Sequence, residues 1–188
     1  MIFDDMDTNH LLALLKKYSH HYPDEKNRVD QTLEFVQNNK DCFYKSSLQG
    51  HITTSAWVVD FSGEKALLTH HKKIGKWVQL GGHLEKEDKS LHEGARREVE
   101  EESGLTEIKL LKPEIFDLGV YEIPQYESVP KHIHYDITFL FQSLENSENI
   151  SMSAESHDLK WFSLAGLLEG PFEDSVKRMA KKYLIEKK

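Results

Sequence analysis

The chain has 188 residues, 38% of them hydrophobic and 30% charged, with a formal net charge of −8 and a mean hydropathy of −0.59. That suits one soluble domain with a sizeable core and room for a small appendage, and it disfavours general adhesion to nucleic acid or an anionic membrane. No apolar run approaches the roughly 20 residues that span a bilayer, the acidic start Met1 to Asp5 lacks a signal-peptide pattern, and Cys42 is the only cysteine, so a reducing cytoplasm is the expected setting.

Residues 7–38 read as a helical hairpin. Leu11, Leu12, Leu15 and Tyr18 follow a 3.6-residue period, Tyr22-Pro23 breaks it, and Asp24 is placed to cap a second stretch carrying Val29, Leu33 and Val36. Apolar helix faces usually mean core packing, so scaffolding is preferred here over substrate selection. From residue 51 the texture turns to strands. Ile52 to Val59 is β-rich, Phe61-Ser62-Gly63 turns it into Lys65 to Thr69, and Lys76 to Gln79 runs into Gly81-Gly82. Ser90 and Glu93 have capping-box spacing, Leu91, Ala95 and Val99 form an apolar helical stripe, and Gly104 suits a left-handed C-terminal cap. Further strands are expected near 107–112, 115–123, 133–142 and 158–162, and a last helix from Pro171 to about Tyr183. Mixed strands and helices of this kind give an α/β (α+β) class with a mixed sheet.

On the 90–104 helix, Glu98, Glu101 and Glu102 are spaced i, i+3, i+4 and crowd one face. Like charges that close repel, and a purely structural helix gains nothing from them. Divalent cations binding between them would, since hard cations such as Mg2+ prefer oxygen ligands. A solvated acidic face is the plain alternative.

The run Gly81-Gly82-His83-Leu84-Glu85, then Ser90-Leu91, then Arg97-Glu98-Val99-Glu100-Glu101-Glu102-Ser103-Gly104-Leu105 resembles the Nudix box of the Nudix hydrolase family. The right half matches the family pattern throughout. The left half is one residue longer than the pattern allows, so the central glutamate position falls on Asp88 or on Lys89, depending on the direction of counting. Only a carboxylate pairs with a guanidinium, so Asp88 is expected to support Arg97. The resemblance implies a Nudix-like α/β/α sandwich over 46–188 after a helical extension over 1–45. It also implies a Mg2+ (or Mn2+) cofactor and hydrolysis of a nucleoside diphosphate linked to another group.

The assignments agree with elementary chemistry. Cations neutralise the pyrophosphate oxygens and lower the pKa of attacking water. Glu101 and Glu102 are the main candidate ligands and Glu98 a ligand or base. The Gly82 carbonyl can approach the metal because glycine lets backbone come close. Arg97, four residues before Glu101, can brace it through a bidentate pair. Glu155 lies where similar proteins often carry an acidic residue that assists the water; a solvated turn carboxylate is an equal alternative.

His132, His134 and Asp136 alternate onto one face of a strand. Same-face polar pairing is preferred there over a metal site, with substrate contact through His134 in between. His83 is expected to position substrate, and Lys73, with His70, His71, Lys72 and Lys76, to supply positive charge or simply to solvate. Trp77 and Tyr121 can stack on a base, though packing is the plainer reading. No Gly-x-Ser-x-Gly elbow is present and Cys42 lies far from the box, which favours direct attack of water on phosphorus. Together these residues point to a metal-dependent pyrophosphohydrolase with a small-molecule nucleotide substrate. No membrane partner or stable nucleic-acid partner is expected, and a homodimer is left open. The rival is a non-catalytic nucleotide-sensing or regulatory module on the same fold, which would not need all three glutamates.

Overall fold

Alternate residues of a strand point to opposite sides, and in Gly50–Val59 both sides are buried. The computed structural model describes residues 7–125, 127–145, 150–154 and 156–187. In chain order its helices are α1 (Thr8–His21), α2 (Lys26–Asn38), α3 (Leu91–Ser103), α4 (Leu164–Glu169) and α5 (Asp174–Glu186). Its strands are β1 (Gly50–Val59), β2 (Lys65–His71), β3 (Lys76–Val78), β4 (Leu80–His83), β5 (Ile108–Leu110), β6 (Asp117–Ile123), β7 (His132–Ser143) and β8 (Ser156–Ser163).

A strand covered on both faces belongs at the centre of a mixed sheet. Accordingly β1 runs parallel to β7, from Gly50 opposite Ile133 to Val59 opposite Gln142. The other described pairings are antiparallel. On its second edge β1 is shared by β4, opposite Thr53 to Ala56, and β2, at Val59. Beyond β7 lie β6 and β5, and β3 and β8 pair with β2. These strands form one sheet with helices on both faces.

One face of β1 (Ile52, Ala56, Val58) packs with Leu91, Ala95 and Val99 of α3 and with Leu11, Leu15, Val29 and Val36 of the N-terminal helices. The opposite face (Trp57, Val59) packs on Leu164, Leu167, Val176 and Met179 of α4 and α5. Each fully buried aliphatic or aromatic side chain contributes about 1.5–3 kcal/mol. The second face turns polar at the other end of β1, where His51, Thr53 and Ser55 replace the apolar side chains. That polar end is where the sites described below lie.

A buried ionic network ties the N-terminal helices to the sheet. Arg178 donates twice to Asp117 (3.0 and 2.7 Å), and Lys182 bonds Asp117 at 2.6 Å and Glu25 at 2.8 Å. The Tyr18 hydroxyl donates to Glu25 and accepts from the Leu118 N–H.

Three local expectations are corrected. Asp24 does not cap α2: it lies in a 3-10 turn, Pro23–Glu25, and α2 starts without a side-chain cap because Glu25 is drawn to Lys182 and Arg28. The capping box at α3 is half made. Ser90 accepts from Glu93 N–H, but Glu93 accepts from Lys89 N–H instead of Ser90 N–H. The C-terminal region forms two helices, since Leu164 and Leu167 are buried and Ser163 caps a short helix ahead of Pro171. Gly104 takes the expected left-handed cap at φ 70°.

Candidate active site

The Gly81-Gly82 strand passes close to α3, and glycine is required at both positions. Gly81 has φ +152°, and an added Cβ would stand 2.5 Å from Thr54 O. At Gly82 an added Cβ would come within 2.7 Å of Glu98 Oε1, so the missing side chain is what admits the carboxylate. Glu102 turns the other way along the same backbone and accepts the Gly81 N–H at 2.9 Å.

Arg97 gathers the rest. It donates from Nε and Nη2 to the two oxygens of Asp88, both at 3.0 Å. Its Nη1 bonds Glu98 at 3.0 Å and Glu101 at 3.1 Å, and its Nη2 also bonds the His83 carbonyl at 2.9 Å. The bidentate pair therefore goes to Asp88, not to Glu101, which receives a single bond. Asp88 is buried and is itself held by the Glu85 N–H at 2.8 Å. Lys89 is exposed, so the loop uses Asp88 as the arginine's partner. Burial raises the Glu98 carboxyl to about 7, outweighing the pull of Arg97 towards the charged form.

A second group of side chains lies at the end of the same strand. The β1–β7 register sets His51 opposite His134, and His132 lies two residues earlier on that face. His83, on β4, is opposite Thr53. Ring centroids of His51 lie 5.0 Å from His83, 5.0 Å from His132 and 4.6 Å from His134. Burial first, and neighbouring imidazoles with it, lower His51 and His83 to about 4 and His134 to about 3. Lys45 also acts on His51 and His83, and Lys73 on His83. Asp136, next along the face, accepts from Thr53 and Ser55 at 2.8 Å and from Gln79 at 3.1 Å.

A family model described as the NUDIX domain matches residues 50–183. The chain belongs to the Nudix family. It is similar to a NUDIX-family hydrolase from Clostridium perfringens at 25% identity, over 72% of this chain and 97% of that one, with a TM-score of 0.57. It is similar in fold to the MutT protein from Methanosarcina mazei Go1, at 24% identity over 76% and 98% of the two chains, with a TM-score of 0.56. The C. elegans Ap4A hydrolase shares the fold at 16% identity over 72% and 96%, with a TM-score of 0.59. No functionally curated protein shows significant sequence similarity to the chain. As a Nudix hydrolase the protein acts on phosphoric anhydride bonds in nucleotide-derived small molecules. No described helix is long and apolar enough to cross a membrane.

The family implies a divalent cation, and the residues present fit one. Glu98, Glu101, Glu102 and the Gly82 carbonyl offer only oxygen, the donor type of hard cations, and the space at Gly82 is one that a Cβ would fill. Among the described residues, however, the three ligand-type side chains whose donor atoms lie within 4.8 Å of one another are His51, His132 and His134, not the glutamates. Arg97 and the Gly81 N–H occupy the glutamates instead.

Of the other Nudix-site candidates, Glu155 lies outside the described residues. Lys73 is exposed, while Lys72 is bonded to Ala154 O and Lys76 is paired with Glu173. Trp77 packs edge-on to Phe162 under Lys160, and Tyr121 packs over Gly119 with its hydroxyl pushed up to about 12 by burial. His51, Gln79 and Lys45 join the site only through the fold. His51 had a signal: it stands one residue before the β-rich run, in the alternation that continues through Thr53 and Ser55.

Proposed function

We propose that the protein is a divalent-metal-dependent pyrophosphohydrolase that cleaves a nucleoside diphosphate linked to another group, by attack of water on phosphorus. The observation that carries this is the packing of α3 on the Gly81-Gly82 backbone, where Glu98 lies against Gly82 and Glu102 accepts the Gly81 N–H, with Arg97 bonded to Glu98 and Glu101. The Gly82 carbonyl and the three glutamates would hold Mg2+ or Mn2+. When bound, the cation neutralises phosphate oxygens and makes water more acidic.

The remaining roles belong to the chain. Arg97, fixed by Asp88, orients Glu98 and Glu101. Glu98, with its carboxyl at about 7, is suited to take a proton from attacking water near neutral pH; Glu155 is the second candidate base. His83, His134 and Lys73 are the candidate substrate contacts, with Lys73 suited to offer positive charge to phosphate. The lone buried thiol of Cys42 accords with a reducing cytoplasm.

The test is a screen of nucleoside diphosphate compounds with Mg2+ or Mn2+, with and without chelator, followed by hydrolysis in 18O-labelled water. Turnover should need the cation and place label in a phosphate of one product. Label on a sugar carbon, or a covalent enzyme adduct, would rule out direct attack on phosphorus. Tight binding without turnover would favour the regulatory reading.

A further inference from the structure

We propose that His51, His132 and His134 form a nitrogen-donor site for a zinc-class divalent cation, separate from the acidic face of α3. The inference does not rest on the pyrophosphohydrolase reading.

Geometry comes first. One ring nitrogen from each imidazole lies within 4.8 Å of the others. Ligands about 2.0–2.1 Å from a tetrahedral zinc stand roughly 3.4 Å apart, so small side-chain rotations close the site. The backbone is already in register, since β1 and β7 set His51 opposite His134.

The tautomers agree with this. His132 Nδ1 is 2.9 Å from the Pro130 carbonyl. A carbonyl only accepts, so Nδ1 carries the proton, and the neutral ring presents its lone pair at Nε2. That nitrogen is 3.0 Å from His134 Nε2, so the pair shares one proton, donated by His134. An imidazole whose far N–H is tied to a backbone carbonyl has the outer contact typical of a metal ligand. Metal binding would exchange the His134–His132 hydrogen bond for two coordinate bonds, with the His134 proton moving to Nδ1.

His51 is the independent observation. It is 2% exposed, yet neither ring nitrogen has a hydrogen-bond partner. The Ser47 backbone is near enough to act on the ring's charge but is not at bonding geometry. Buried polar groups are as a rule paired. Ring stacking on His132, at 5.0 Å and 26°, explains the contact but leaves both nitrogens unpaired. A coordinated cation gives the ring's one free nitrogen lone pair a partner.

The donor set selects the metal. Three imidazoles suit zinc and related transition metals, whereas Mg2+ takes oxygen. Asp136 does not change this, because its oxygens are bonded to Thr53, Ser55, Gln79 and Thr138. Three nitrogen ligands leave one position for a water or a phosphate oxygen.

The experiment strips the full chain with chelator and titrates Zn2+ against a chromogenic zinc chelator, with Co2+ absorption and histidine ring-proton NMR as second readouts. Wild type and Glu101→Gln should each bind one equivalent that excess Mg2+ does not displace. Co2+ should give a tetrahedral-type spectrum, and three histidine ring signals should shift on adding Zn2+. His132→Gln and His134→Gln, checked for folding by circular dichroism, should each weaken binding by at least about a hundredfold. The proposal is overturned if wild type binds no stoichiometric zinc, if no histidine signals shift, or if Glu101→Gln loses zinc while the histidine variants keep it. The NMR readout uses wild type alone, so it decides the matter even where a variant does not fold. Pyrophosphatase turnover with Mg2+ is measured separately, so the two readings fail independently.

Discussion

Residues 81–83 separate two clusters of opposite character. On one side, Arg97, Asp88, Glu98, Glu101, Glu102 and the backbone of Gly81 and His83 exchange hydrogen bonds so that each charge has a partner. On the other side, the histidines share one hydrogen bond between His132 and His134 and leave His51 with none. The acidic cluster is built mostly within one helix and the loop before it. The histidine cluster exists only because three strands meet in register. The acidic cluster satisfies its own charges before any ligand arrives, whereas the histidine cluster is left with a buried ring that a ligand can complete.

The largest effect that would break this comparison is catalytic. Glu101→Gln and Glu102→Gln should each lower kcat by at least about a hundredfold, a loss of roughly 3 kcal/mol in transition-state stabilisation. Near wild-type rates in both, with the fold intact by circular dichroism, would remove the acidic cluster from the chemistry.

The next effect is on stability against pH. Burial raises Glu98 from 4.5 to about 7 in the folded chain. Folding therefore favours its protonated form, and its contribution is present in full below about pH 4.5 and is lost as pH rises to about 7. The change is up to roughly 3 kcal/mol. Denaturant unfolding of metal-free protein across that window should show the decline, and Glu98→Gln should flatten it. Stabilisation by added Mg2+ should grow with pH over the same range, because the cation favours the carboxylate.

Asp88→Ala leaves a half-buried guanidinium without its bidentate partner and should cost roughly 2–3 kcal/mol, with a loss of activity. Lys89→Ala, on an exposed side chain, should stay within about 0.5 kcal/mol. The reverse ranking in thermal melts and rates would mean that the inserted loop supports Arg97 differently. The smallest effect is expected at the histidines. In metal-free protein His51→Leu removes two unpaired buried nitrogens at similar volume, so it should change stability by less than about 1 kcal/mol or raise it. A large loss in melting temperature would show that His51 is already satisfied without a metal.

The α3 helix, with its Ser90 and Gly104 caps, was legible in the sequence because helix periodicity and capping chemistry act within a few residues. Spacing alone left Asp88 and Lys89 as alternatives; burial and the two bonds to Arg97 decide for Asp88. The short helix Leu164–Glu169 was not visible because it is too short to carry a period, and packing of Leu164 and Leu167 holds it. The Asp117–Arg178–Lys182–Glu25 network was equally hidden, since its members lie far apart along the chain.

By itself, then, the sequence determined the acidic face with its glycine turn, the order of the strands and the longer helices, and through the box the family to which the chain belongs. Only the tertiary structure decided which loop carboxylate meets Arg97, that Arg97 bridges Glu98 and Glu101, and that His51 joins His132 and His134. The physical reason is one of range. Helical periodicity and capping are set by neighbouring residues, whereas the partner of a strand residue is set by sheet register and burial, which the chain reaches only when distant segments pack together.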